Sequence, residues 1–241
     1  MKHQYFGDIN DYRKYGLLRL LSARGKIRTA VCWMLTDSDG KSDGKKTKYL
    51  SQPKKYRKFD PDLFDILQKS DRNVESAERG NIIPSAVYHP RILTDKSKER
   101  TKYFAGFQVA AQGYDLVFFD PDNGIEVGSM KYGATGSSKY LYWQELIETY
   151  HAGHSVLVYQ HFPRAKREEY KNKFFRDVCK RLNVADVIMF TTSNVLFVLI
   201  PPAKHLSYFT KCAMSIERIW DGEIKSAILP LEYDLIDKPK A

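Results

Sequence analysis

The chain has 241 residues, 43% hydrophobic, 28% charged and 13% aromatic, enough for one sizeable core, which excludes disorder of the whole chain. Lys and Arg number 39 against 29 Asp and Glu, a formal charge of +10 at pH 7 that suits a phosphate-rich partner, although charge alone sets encounter and solubility before function. No run approaches the roughly 20 apolar residues of a membrane helix, and Met1-Lys2-His3-Gln4-Tyr5 leads into charged sequence without an apolar signal segment, so a cytoplasmic protein with no membrane partner is expected.

From Asn10 the spacing of Tyr12, Tyr15, Leu17, Leu18 and Leu21 predicts a helix, with Asp8 or Asn10 as its cap and Gly25 at its end. Thr29 to Thr36 reads as a buried strand that breaks into the polar loop Asp37 to Gly44. A basic stretch, Lys45 to Lys58, leads to a helix opened by Asp60-Pro61, so residues 41–67 read as a positively charged insertion. Further on come a helix over 73–79, a short strand over 84–88, a helix over 96–112 and the apolar strand Asp115 to Phe119. A helix over 140–150, a strand over 155–159 and a helix over 165–182 follow, then strands over 187–191 and 195–200 joined as a hairpin, and a last helix over 204–220. Strands alternating with long helices predict a single α/β domain over 1–241: a mainly parallel sheet, helices on both faces, and an antiparallel edge contributed by the late strand pair. Cys32, Cys179 and Cys212 lie far apart among apolar neighbours, offer neither a disulfide framework nor paired zinc spacing, and read as core thiols.

Open parallel sheets collect ligands at the carboxyl ends of their strands, and three polar clusters fall there: Asp37 to Gly44, Asp120 to Glu126 and Gln160 to Arg164. Each alone reads more readily as a polar turn after a buried strand; together they predict one crevice. In Asp120-Pro121-Asp122-Asn123-Gly124-Ile125-Glu126 the clustered carboxylates repel unless a cation, a donor or solvent separates them. They would serve either as acceptors for an amine or as oxygen ligands of a divalent metal. Gly40-Lys41-Ser42 lacks the earlier glycine of a phosphate-binding loop, Leu35 standing in its place. His161 would serve proton transfer or be a hydrogen-bonded strand-end histidine, and Arg164 would hold phosphate. Tyr5 offers a stacking face among cations, and Lys54, Lys55 and Arg57 are the electrostatic candidates for a nucleic-acid backbone.

Taken in order, Gly7-Asp8-x-x-Asp11-x-x-Lys14-Tyr15, Asp37-x-Asp39-Gly40, Phe119-Asp120-Pro121 and the strand from Val195 into Pro201-Pro202 resemble the bacterial ribosomal RNA methyltransferases that modify an adenine amine of large-subunit RNA. That family belongs to the class I S-adenosylmethionine-dependent superfamily, and the likeness spans most of the chain in short, inexact matches. It implies a Rossmann-like methyltransferase fold, S-adenosylmethionine as cofactor and nucleic acid as partner. It also implies that Lys14 meets the methionine carboxylate, that Asp37, Asp39 and Gly40 lie against the cofactor, and that Asp120 accepts a bond from the target amine. Asp122 and Asn123 stand in that catalytic loop where the family has Pro followed by Phe or Tyr, so the ring that stacks on a flipped base is replaced. The sequence more closely resembles a bacterial group sharing FGDxxDYxKYGLLR and FxDPDNG, in which these departures are shared features and which lends no activity.

The residues thus lead to methyl transfer to an amino group of RNA or DNA, with the base extruded above Asp120. The alternatives are a nuclease or phosphoesterase using Asp120, Asp122 and Glu126 to hold Mg or Mn with help from His161, or a non-catalytic nucleic-acid-binding protein on the same scaffold.

Overall fold

Along the strand Leu116–Phe119 every side chain is buried, because the pleat sends Leu116 and Phe118 into one core and Val117 and Phe119 into another. The same alternation runs through the neighbouring strands, which is why they read as unbroken apolar runs. The computed structural model describes residues 1–37, 44 and 46–230.

A seven-stranded sheet has the order β2-β1-β3-β6-β8-β7-β9, with β1 Thr29–Cys32, β2 Val87–His89, β3 Leu116–Phe119, β6 Ser155–His161, β7 Asp186–Thr191, β8 Val195–Ile200 and β9 Lys225–Pro230. Two short strands, β4 (Gly124–Ile125) and β5 (Tyr140–Leu141), pair outside it. The pairs of β1 with β2, β1 with β3 and β3 with β6 are parallel, whereas β8 is antiparallel to both β6 and β7, and β9 is antiparallel to β7. On one face lie α1 (Ile9–Leu21), α3 (Pro61–Lys69), the short α4 (Glu75–Arg79) and α8 (Ala203–Ile219); on the other lie α5 (Ser97–Ala110), α6 (Trp143–His151) and α7 (Arg167–Leu182). This is a Rossmann-like α/β fold, its sheet mainly parallel and covered on both sides. Among the described residues no helix is long and apolar enough to cross a membrane.

Several expectations shift. The late strand pair does form a hairpin, but β8 lies inside the sheet, and the antiparallel edge is β9, a short segment with half-exposed side chains and no strong strand pattern. Tyr140 and Leu141 belong to β5, so α6 begins at Trp143. Cys32 and Cys179 are buried, but Cys212 only partly so. The basic segment is woven into the core: α2 (Pro53–Tyr56), α3 and the 3₁₀ turn Lys48–Ser51 cover α1, with the Tyr12 ring stacked on Tyr49 at 5.2 Å and Arg19 bonded to Asp60 at 2.7 Å. Asp60 caps α3 by accepting from the Leu63 amide, as Asp-Pro predicts.

Register positions the site. Cys32 stands opposite Phe119, and Phe119 opposite Val158, so the carboxyl ends of β1 and β3 finish side by side next to the outgoing end of β6. The helix that crosses above them, α1, approaches so closely that a Cβ on Gly16 would lie 1.9 Å from the Trp220 ring. Trp220 has no room to retreat, being stacked on Phe59 at 5.3 Å and tilted against Tyr12 at 5.0 Å. Gly16→Ala is therefore expected to destabilise by about 1–3 kcal/mol through overpacking, despite the better helix propensity of alanine. Urea unfolding with the midpoint unchanged would show instead that the packing of α1 on α8 can give way.

Candidate active site at the carboxyl edge of the sheet

Asp8 caps α1 by accepting from the amides of Asn10 (2.8 Å) and Asp11 (2.9 Å). From that cap, helical spacing places Asp8, Asp11 and Lys14 along one face. Lys14 is 1% exposed, and its Nζ lies 2.6 Å from Asp11 Oδ1 and 2.7 Å from Asp120 Oδ2, the two carboxylates being 5% and 4% exposed. The rings of Tyr15, Trp33 and Tyr159 surround the ammonium at 5.0, 5.5 and 5.8 Å. Asp11 Oδ2 also accepts from the Gly7 amide (3.0 Å) and the Tyr15 hydroxyl (3.3 Å).

One buried ammonium thus faces two buried carboxylates, with a third acid, Asp8, nearby. Burial, joined by the charges of Asp8 and Asp120, pushes the Asp11 carboxyl up to about 7 against the pull of Lys14. For Lys14 burial acts the other way, but the two carboxylates outweigh it and hold the ammonium above its ordinary range. Asp122 is bound separately: Oδ1 lies 2.8 Å from the Met1 ammonium, Oδ2 accepts from Thr36 Oγ1 at 2.7 Å, and Lys2 Nζ is 3.9 Å away. Burial raises its carboxyl, yet these partners together hold it below the usual value.

These groups border a cavity of about 510 Å³, together with Tyr5, Asn10, Lys46, Tyr159 and His161. The structure therefore brings together Lys14, Asp120, Asp122, Tyr5 and His161 from the sequence-predicted set. His161, expected in a loop, is the last residue of β6; its ring packs edge-on against Tyr159, and desolvation holds its imidazole below the usual range. Neighbouring Gln160 braces the acidic loop, its Oε1 accepting from the Ile125 amide at 2.8 Å, and it lies so near that a Cβ on Gly124 (φ +91°) would meet it at 2.3 Å. Glycine after Asn123 is thus required by both conformation and space.

Other predicted residues lie elsewhere. Lys14 and Asp120 bind each other, the ammonium lying between two carboxylates of its own chain. Asn123 is exposed and outside the cavity lining, its amide bonded to the Lys139 carbonyl. Glu126 accepts from the Trp143 amide at 2.8 Å at the start of α6, because β4 carries the chain away after Gly124; the metal-binding trio with Asp120 and Asp122 is not assembled. Among the described residues no group of three or more His, Cys, Asp or Glu is placed to hold a metal ion. Asp37 is exposed, and Asp39 and Gly40 lie outside the described residues. Lys54 and Lys55 are exposed on α2, Arg164 is exposed beyond β6, and Arg57 is engaged by both oxygens of Asp65 at 2.8 Å.

Sequence reasoning missed Asp8, Asn10, Asp11, Thr36, Lys46 and Tyr159 as site residues. The i, i+3 spacing of Asp8, Asp11 and Lys14 was the available signal: a cation in register with two acids along one face of the first helix.

No family model matches the chain, and no curated protein matches it. Among solved structures it is similar to the protein LPL1258 from Legionella pneumophila str. Philadelphia 1, assigned to the DUF519 family, at 11% identity and a TM-score of 0.40 over 93% of this chain and 97% of that one.

Removing the ammonium would leave buried carboxylates uncompensated. Lys14→Met is expected to lose about 3–5 kcal/mol of stability at pH 8. The deficit should shrink as pH falls through 7, where Asp11 takes up a proton in the fold before it would in the unfolded chain. Chemical denaturation of both proteins between pH 5 and 8 measures this; a deficit independent of pH would contradict the assigned coupling.

Proposed function

We propose that the chain is an S-adenosylmethionine-dependent methyltransferase acting on an amino group of a nucleic-acid base, RNA or DNA. The observation that carries this reading is Asp120: a buried carboxylate at the carboxyl end of a central strand, its Oδ2 held by Lys14 and its Oδ1 the second acceptor, at the wall of a cavity large enough for a small-molecule ligand. In this reading that oxygen accepts an N–H and orients the nitrogen lone pair.

The lining also fits the cofactor class. Asn10 Oδ1 is buried with no hydrogen-bond partner among the described residues, and Asp8, Asp11 and Asp122 surround the same space. An acceptor-rich wall favours a ligand with ammonium, sulfonium and hydroxyl groups, and Lys46 at the border offers a cation for a carboxylate. When bound, this cofactor supplies a methyl group made electrophilic by positive sulfur. The chain's own part is to hold the acceptor amine on Asp120 Oδ1, flank the base with Tyr5, Tyr159 and His161, and keep water from the nitrogen. The scattered thiols, none in a disulfide among the described residues, accord with a cytoplasmic setting. The metal-dependent alternative loses support because Glu126 caps α6, and no observation favours it.

Isothermal titration is expected to show S-adenosylmethionine binding to the parent, weakened about tenfold in Asn10→Ala by loss of one acceptor. Asp120→Asn should keep that binding and lose at least about 100-fold in methyl transfer to RNA or DNA. A parent that binds no cofactor would overturn the reading and leave nucleic-acid binding alone on this scaffold. The exposed lysines of α2 supply the second check: Lys54→Ala with Lys55→Ala should lower the slope of log affinity against log salt by about 0.7–0.9 for each phosphate no longer neutralised. An unchanged slope would place the backbone on another surface.

A further inference from the structure

Asp11 takes no part in the methyl-transfer step itself, yet it competes with Asp120 for one ammonium. Lys14 Nζ sits 2.6 Å from Asp11 Oδ1 and 2.7 Å from Asp120 Oδ2, in a setting closed by aromatic rings, where a charge removed from one carboxylate is felt by the other. Resting on the methyl-transfer reading, we propose that Asp11 is a positioning residue that sets the proton-accepting strength of Asp120 by sharing Lys14 with it.

With Asp11 protonated, Lys14 is drawn to Asp120 alone, and Asp120 becomes a weak acceptor. Once Asp11 ionises, the ammonium is divided between two carboxylates, and Asp120 becomes more basic. In the transfer, the nitrogen lone pair forms the N–C bond while the C–S bond breaks and its electron pair stays on sulfur. The proton the nitrogen can no longer keep passes to Asp120 Oδ1 and from there to the solvent-connected cavity. A stronger acceptor assists that departure.

The groups facing Asp11 are Asp8, Lys14 and Tyr15 on or beside α1, Asp120 after β3, Tyr49 from the turn before α2 and Tyr159 on β6. Burial raises all three tyrosines above their ordinary range, so they stay neutral near pH 7. Asp8 and Asp120 therefore oppose ionisation of Asp11, and Lys14 favours it.

Two measurements test this. Carbon-13 NMR of the side-chain carboxyls in the free protein should show Asp11 titrating near neutrality, and titrating at lower pH in Asp120→Asn, where one like charge is gone. The pH profile of methyl transfer should rise through the same range in the parent and lose that limb in Asp11→Asn, which would hold the pH 8 rate at the parent's level near the acid end of the profile. Tyr15→Phe, which removes a donor to Asp11 Oδ2, should move both the titration and the limb to higher pH; it keeps the test open should Asp11→Asn fold poorly. An Asp11 titration indifferent to residue 120, or a parental pH profile in folded Asp11→Asn, overturns the proposal. Coupled titration in a parent that transfers no methyl group overturns the methyl-transfer reading and leaves the Asp11–Asp120 coupling standing.

Discussion

A single buried ammonium organises the edge of this fold. Lys14 reaches from α1 to Asp120 at the end of β3, a partner 106 positions along the chain, and is steadied by Asp11 one turn behind it. Burying a lysine is costly unless its donors are satisfied, and burying two carboxylates beside it is costlier still unless the cation is shared. The arrangement therefore ties helix position to strand register: Asp11 and Lys14 travel together on α1, so a shift of the helix along its axis would strip Asp120 of its cation and leave a buried carboxylate unpaired. Gly16, which lets α1 pass against Trp220, and Asp8, which fixes the first turn, serve the same placement.

The opposite face contributes by anchoring the far end of the acidic loop at the start of α6. Arg100 on α5 donates to both oxygens of Glu145 (2.6 and 2.7 Å) and to the carbonyls of Ser137 and Tyr140, fastening the segment between β4 and α6 to the core. Glu126 is drawn to the same helix terminus. The acidic run is thereby divided: Asp120 and Asp122 turn toward the cavity, and Glu126 serves a helix end, where a carboxylate is favoured by the exposed amides.

Much of this was legible in the sequence, for identifiable reasons. Strands buried on both faces, such as Leu116–Phe119 and Ser155–His161, leave apolar runs, and the turn after each marks where ligands gather, which led to Asp120 and His161. What escaped was pairing. Nothing local tells that Lys14 spends its charge on Asp120, that Arg57 is bound by Asp65 across a turn, or that two residues of β4 suffice to separate Glu126 from Asp122. Side-chain partners at long range follow from register, and register is set by the whole sheet. β9 escaped for a different reason: an edge strand with half-exposed side chains needs little hydrophobic signal of its own.

The chain's charge is distributed in a way that bears on the proposed reaction. Its formal excess is +10, while the cavity wall carries Asp8, Asp11, Asp120 and Asp122 against Lys14, the Met1 ammonium and, at the border, Lys46. A polyanion would be attracted at long range by the exposed lysines yet repelled from the cavity itself, where carboxylates and the Asn10 oxygen, without a partner among the described residues, present acceptors. An amine meets the reverse conditions: no long-range pull, but well-placed acceptors once inside. For a nucleic-acid substrate this would separate the two ends of a nucleotide, the phosphate retained at the surface and the amino edge of the base admitted to Asp120. Discrimination would then rest as much on what the acidic wall rejects as on what it binds.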